Sequence, residues 1–318
     1  MNTSLIYKPY QVVMKNKAIY SLFFILLLSI ACNRKIEEIE APTMGRLNII
    51  ADESIRDIVQ QEEEIFERSY PYAHLDVSYT NEYDLFSQFM ADSIDVVLTT
   101  RTLTQEETAY LEKRQSIARP FPFAKSAIAF ITNKTSTDTT YTYEQLKSMM
   151  SDQGSKSIFV IENVKSGIAR EVLQFINLNT LPAHFYALTS KKEVLEYIKT
   201  HKNAIGIIDY SDISDTDNAY TKEVLESIQL IGISRPLDSI QAGFVKPFQY
   251  NLQDHKYPFT RDLYLITKTG RSDIGIGFAS FMCGEIGQRI VLKAGLLPLF
   301  QTERSLEINQ TADIKVIK

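Results

Sequence analysis

Three short stretches place hydroxyls, a glycine and cationic side chains where a strand would hand over to a helix. They are Asp52-Glu53-Ser54, Thr99-Thr100-Arg101 and Lys165-Ser166-Gly167, the last with Arg170 one turn on. The chemistry open to such turns is the binding of an oxyanion. The first backbone N–H groups of a helix have no partner inside it and lie at the positive end of its dipole. Ser54 and Ser166 add hydroxyl donors, Arg101 can grip an anion with two parallel N–H groups, and Gly167 lets the backbone come close to what is bound. Each stretch also has a plainer reading. Asp52 is a fitting helix N-cap, Thr99 or Thr100 can cap a helix whose Arg101 is solvated, and Ser166-Gly167 is an ordinary helix start.

Other chemistries find less support. The chain has no Gly-x-Ser-x-Gly, no phosphate-cradling Walker loop and no Cys–His pair, so no enzyme activity is expected. Its four His are scattered, without HxxxH or HxH spacing, so neither a metal centre nor another cofactor is expected. The carboxylates Glu62 to Glu64 read as a solvated helix face. A formal net charge of −5 offers no basic face to nucleic acid.

The two cysteines differ in context. Cys283 lies in an apolar helical stretch and reads as a free buried thiol. Cys32 closes the apolar run Ala18 to Ala31, which follows Lys15 and Lys17. That run is short of the about 20 residues a membrane-spanning helix needs, and its flanks are those of an export signal. Met14-Lys-Asn-Lys makes a more ordinary signal start than Met1, so Met14 is the expected initiator. A small residue followed by Cys after such a run resembles the lipobox of bacterial lipoproteins, with Ser29 where that pattern prefers Leu. The resemblance implies loss of residues 1–31 and a lipid on Cys32. Residues 32–43 are then lipidated Cys and tether, because Asn33 to Thr43 is polar, charged and carries Pro42. The group Glu37, Glu38 and Glu40 also resembles surface-export signals of some Gram-negative lipoproteins. The expected location is the cell envelope of a Gram-negative bacterium, on a membrane and facing the periplasm or the surface.

Downstream, strand-like and helix-like segments alternate. Leu47 to Ala51, Asp95 to Leu98, Ile158 to Ile161, Ala204 to Ile208 and Asp262 to Thr267 read as strands, as do the alternating Leu75, Val77 and Tyr79. Thr104-x-x-Glu107, Thr142-x-x-Gln145 and Ser190-x-x-Glu193 are capping boxes. Ile274 to Lys293 supplies two helices, while Ser211 to Tyr220 and Arg235 to Lys256 are polar and irregular. Near Gln229 to Ile233 a strand can carry the chain between lobes. The class is α/β with largely parallel sheets.

Ordered landmarks then line up: Gly45 to Ser54, Tyr70-Pro71, Ile94 to Arg101, Lys165-Ser-Gly167, Ala204 to Ile207, Tyr257-Pro-Phe-Thr-Arg261, Gly277 to Phe281, Gly287-Gln-Arg289 and Ala294 to Pro298. Together they resemble the phosphate-type solute-binding proteins of ABC importers. The resemblance implies a two-lobed periplasmic-binding-protein fold: two mixed sheets with flanking helices, joined by two crossover strands. Lobe 1 would be residues 44–122 plus 237–318 and lobe 2 residues 127–233. It further implies that phosphate or a related oxyanion binds between the lobes, on Glu53, Ser54, Thr99, Thr100, Arg101, Lys165, Ser166, Gly167 and Arg170. The expected partners are an ABC permease complex and a membrane through the lipid, the protein being a monomer. Thr100, Glu162 and Ile168 depart from the family pattern, where Asp, Arg and Thr are common. A different oxyanion, or a site that has lost tight binding, is therefore also open. So is a non-transport surface lipoprotein, a sensor or adhesion module, on the same fold.

Overall fold

Apolar runs become inner strands in the computed structural model, which describes residues 41–237, 243–270 and 272–300. Cys32, the export segment and most of the tether lie outside the described residues. β1 (Met44–Asp52) runs parallel to β2 (Tyr72–Thr80) on one side and β3 (Val96–Thr99) on the other. Its Ile49, Ile50 and Ala51 are all buried, as suits a parallel strand with helices over both faces. A 3-10 turn at Glu53–Ile55, α1 (Arg56–Ser69), α2 (Glu82–Met90) and α3 (Gln105–Lys113) make the connections.

The strand that organises the rest is β4 (Arg119–Asn133), which the sequence pattern does not reveal. Its first part pairs antiparallel with β11 (Thr260–Thr267), its last part with β8 (Ala204–Asp209) and β9 (Ile228–Leu230). β6 (Ile158–Ile161) lies parallel between β8 and β7 (Phe185–Ala187). The order is β2-β1-β3-β11-β4-β8-β6-β7, so the two mixed sheets share one continuous strand. The parallel ladders lie in the outer strands and the antiparallel ones flank β11 and β4. Small pieces complete the set: β5 (Thr140–Tyr141) beside β10 (Gly232–Ile233), and β12 (Leu297–Pro298) beside β4.

The remaining helices are α4 (Tyr143–Ser151), α5 (Gly167–Ile176), α6 (Lys191–Thr200), α7 (Ser211–Ser214), α8 (Ala219–Ser227), α9 (Gln249–Gln253), α10 (Ile274–Cys283) and α11 (Glu285–Lys293). Thus Ser211 to Tyr220, expected to be irregular, contains a short helix and the start of another. The capping boxes at Thr104 and Thr142 form in full. At Ser190 only half of one forms, because the Glu193 carboxylate turns to the Thr189 backbone N–H and hydroxyl instead. Among the described residues no helix is long and apolar enough to cross a membrane.

Two expectations change on burial. Glu62 is not on a solvated face: it is fully buried, and neither carboxylate oxygen has a hydrogen-bond partner. Burial pushes its carboxyl well above the usual range. Cys283 is half-buried; its Sγ donates to the Pro122 carbonyl at 3.5 Å, and burial, with the Glu62 charge, pushes the thiol up to about 11.

The Glu62 finding sets a sign for stability against pH. A carboxyl whose folded pKa is raised favours the folded chain below its unfolded pKa, and that contribution is lost as pH rises towards the folded value. The slope is at most about 1.4 kcal/mol per pH unit. Replacing Glu62 by the similarly sized Met should therefore raise the melting temperature at pH 7. The gain should shrink when melting is followed at pH 4.

Candidate functional site

Four strand ends and their following turns meet where the two halves of the sheet face each other. At the first, Asp52 ends β1 and its Oδ1 accepts the Ser54 N–H at 2.9 Å, the plain N-cap expected of it. The other carboxylate oxygen, Oδ2, and the Ser54 hydroxyl are buried and have no hydrogen-bond partner. Burial pushes the Asp52 carboxyl up to about 6, against the pull of the Arg261 charge. Glu53 turns away to Arg56, at 2.7 and 2.6 Å.

The second turn was not singled out in the sequence. After β2, Asn81 caps α2 and Glu82 is its first residue. Glu82 is buried, and its carboxylate accepts Arg170 Nε at 2.6 Å and Arg170 Nη2 at 3.1 Å. Arg101 Nε lies 3.5 Å away, and the Thr100 hydroxyl donates at 3.4 Å. Burial works to raise the Glu82 carboxyl, but the Arg170, Arg101 and Arg261 charges hold it below the usual range.

At the third turn, Thr99 is fully buried with its hydroxyl unpartnered, while Thr100 takes a hydrogen bond from Arg261. Arg101 is not solvated. It stacks on Phe86, 3.5 Å from the ring centre, and makes a two-point contact with Glu107 at 2.7 and 2.9 Å. The fourth turn runs into α5. Ser166 caps it through the Ala169 N–H at 3.2 Å and donates to the Asn163 carbonyl at 2.7 Å. Lys165 is largely exposed and pairs with Asp84 at 3.2 Å. Gly167 is needed for space. A Cβ there would lie 2.6 Å from Glu82 Oε2, 2.9 Å from Arg261 Nη2 and 3.0 Å from Thr100 Oγ1.

Arg261 on β11 and Asp209 at the end of β8 complete the centre. They pair at 3.1 Å with both side chains almost wholly buried, and Asp209 also accepts the Ser126 hydroxyl and the Ser211 N–H. Arg261 belongs to the closing Pro-x-x-Arg landmark, which was the signal for it. The signal for Glu82 was its place in a strand-to-helix turn like the other three.

The predicted residues therefore divide. Thr100, Arg101, Gly167 and Arg170 converge on the Glu82 carboxylate. Glu53, Ser54 and Ser166 line a neighbouring cavity of about 280 Å³, with Glu162 in its wall. Burial and the Glu53 charge push the Glu162 carboxyl up to about 7. On the other side of Ser166, a cavity of about 750 Å³ is lined by Glu82, Arg101, Lys165 and Arg170 among others. Contacts across the halves surround the centre: the Tyr83 N–H on the Lys165 carbonyl at 3.2 Å, the Ser211 hydroxyl on the Ser54 carbonyl at 3.2 Å, and Lys191 on Asp57 at 3.1 Å.

Removing one partner of a buried ion pair costs about 3–5 kcal/mol, because the other charge is left uncompensated. Arg261→Met should lose stability on that scale in urea denaturation, and adding Asp209→Asn should recover part of the loss.

The model of the PBP superfamily domain matches residues 37–285, a range that holds every residue of this site. Among curated proteins none matches the chain. Solved structures share the fold. A putative phosphate ABC transporter substrate-binding protein with bound phosphate from Clostridium perfringens superposes with a TM-score of 0.66 at 17% identity, over 80% of this chain and 100% of that one. An ABC-type phosphate transport receptor from Vibrio cholerae gives 0.59 at 15% identity, over 80% and 100%. A possible phosphate binding protein from Planctomyces limnophilus gives 0.55 at 19% identity, over 80% and 93%. At these identities the likeness is one of fold. The family is one of binding proteins rather than enzymes. With well over half of its length matched, the chain belongs to the PBP superfamily.

Proposed function

We propose that the chain is a lipid-anchored extracytoplasmic solute-binding protein that captures inorganic phosphate, or a similar oxyanion, for an ABC importer. The observation that carries this reading is the set of donors gathered around one carboxylate group. Arg170 binds it at two points, Arg101 lies beside it, Thr100 donates to it, and the helix start at Gly167 lies against it. A carboxylate is an oxyanion, so the Glu82 group stands in for the chemistry such a site takes. Arginine forks and helix N-termini are two devices that bind phosphate without a metal.

The other parts of the proposal come from the chain's layout. The lobes are residues 44–122 plus 237–318 and residues 127–233, with the cleft between them. Around the centre, Glu53, Ser54, Lys165 and Ser166 form the wider wall, with Thr99 buried behind Thr100. Cys32 carries the lipid, and the solved phosphate receptors of like fold support an importer as the partner.

Equilibrium dialysis of the purified full-length chain against labelled phosphate tests the ligand. Saturable binding is expected. Arg170→Met should weaken it at least ~10-fold, since a hydrogen bond to a charged group is worth about 1.5–3 kcal/mol. Absence of saturable binding, with Glu82 present or neutralised to Gln, would sink the reading. The anchor has its own test: Cys32→Ser should move the protein from the detergent phase to the aqueous phase on detergent partition.

A further inference from the structure

The Glu82 carboxylate occupies the position that best suits an anion. It lies against the start of α5, where a Cβ on Gly167 would come within 2.6 Å of it, and it sits in the first turn of its own helix, α2. Two helix N-termini, with their positive dipole ends, thus favour one negative group. Arg170 grips it at two points from α5, while Thr100 and Arg101 reach it from the end of β3. Glu82 follows β2 and Arg170 follows β6, so the contact ties one half of the sheet to the other.

We infer that Glu82 is an internal occupant of the oxyanion site, which an external oxyanion enters only by displacing it. The inference rests on the oxyanion-site reading above and adds a competitor to it.

Charge makes displacement necessary. Three guanidinium groups, on Arg101, Arg170 and Arg261, are in contact with four carboxylates, on Glu82, Glu107, Glu171 and Asp209. With Glu82 in place the group already has an excess of one negative charge, and an arriving phosphate would meet repulsion. With Glu82 withdrawn the tally is three against three, so a single anion can take the place and the charge that Glu82 gave up. Space for withdrawal exists, because Glu82 also lines the cavity of about 750 Å³.

Tethering makes the competition strong. A group held on a short, ordered segment acts at an effective concentration in the millimolar range or above. Any external ligand then binds with an affinity reduced by the fraction of molecules in which the site is free. Glu82 is therefore a specificity-determining residue as well. A weakly held monoanion gains too little to replace it, and an oxyanion that uses Arg101, Arg170 and the α5 terminus together gains enough.

The test measures phosphate affinity by equilibrium dialysis for the full-length native chain, Glu82→Ala and Glu82→Gln, with folding of each checked by thermal melting. Glu82→Ala is expected to bind at least ~10-fold more tightly than the native chain, with Glu82→Gln between the two. The Gln variant keeps the shape and carries the comparison should the Ala variant fail to fold. Equal affinity in native and variant chains overturns the internal occupant and leaves the oxyanion site standing. Absence of binding in all folded forms overturns both.

Discussion

A guanidinium ion taken out of water must be met by acceptors, and Arg261 places that demand at the middle of the molecule. Its side chain is 2% exposed. Asp209 answers from β8, Thr100 from the end of β3 and Glu171 from α5. Those three elements belong to both halves of the sheet, so one buried cation fixes how the halves meet. Burying ions brings little net stability, because desolvation offsets the attraction. What it brings is geometry, since each partner must stand at one distance and in one direction. The turns that carry Thr100 and Gly167 are brought within about a bond's reach of each other by that requirement.

The same requirement explains what could be read in advance. Ser166, Thr104 and Thr142 were legible because a cap bonds to backbone two or three residues away, and local spacing records it. β1, β2, β3, β6, β8 and β11 are legible because short apolar or alternating runs between helical periods have few other readings, whereas the three-residue edge strand β7 is too short to leave a pattern. β4 was not, since its burial pattern changes along its length. Residues 119–122 are part-exposed, with Pro120 and Pro122 among them, and from Ala127 onward every residue to Asn133 is buried. No single period describes both parts.

The centre of the site escaped for a related reason. Arg170 meets Glu82 across 88 residues of sequence, and Arg261 meets Thr100 across 161. Nothing in a local window joins them. Glu62 differs, because its position was readable and its chemistry distracted. Ile58, Glu62 and Phe66 follow one another at four-residue steps on α1, and all three are buried. Helical phase outranks residue polarity there, and burial pushes the carboxyl well above its usual range.

The entry of the chain into the fold carries a mechanical consequence. Ala41 and Met44 exchange two backbone hydrogen bonds, of 3.0 and 3.1 Å, and the Pro42 carbonyl presses on α10 so closely that a Cβ on Gly277 would fall 1.7 Å from its oxygen. From that clamp the chain runs straight into β1, which is held by β2 on one side and β3 on the other. Tension applied at Ala41 is therefore directed along β1, one strand in from the edge of the sheet. It loads both ladders in shear, so their hydrogen bonds resist together instead of parting one after another. The half built on β6 and β8 lies off that line of force.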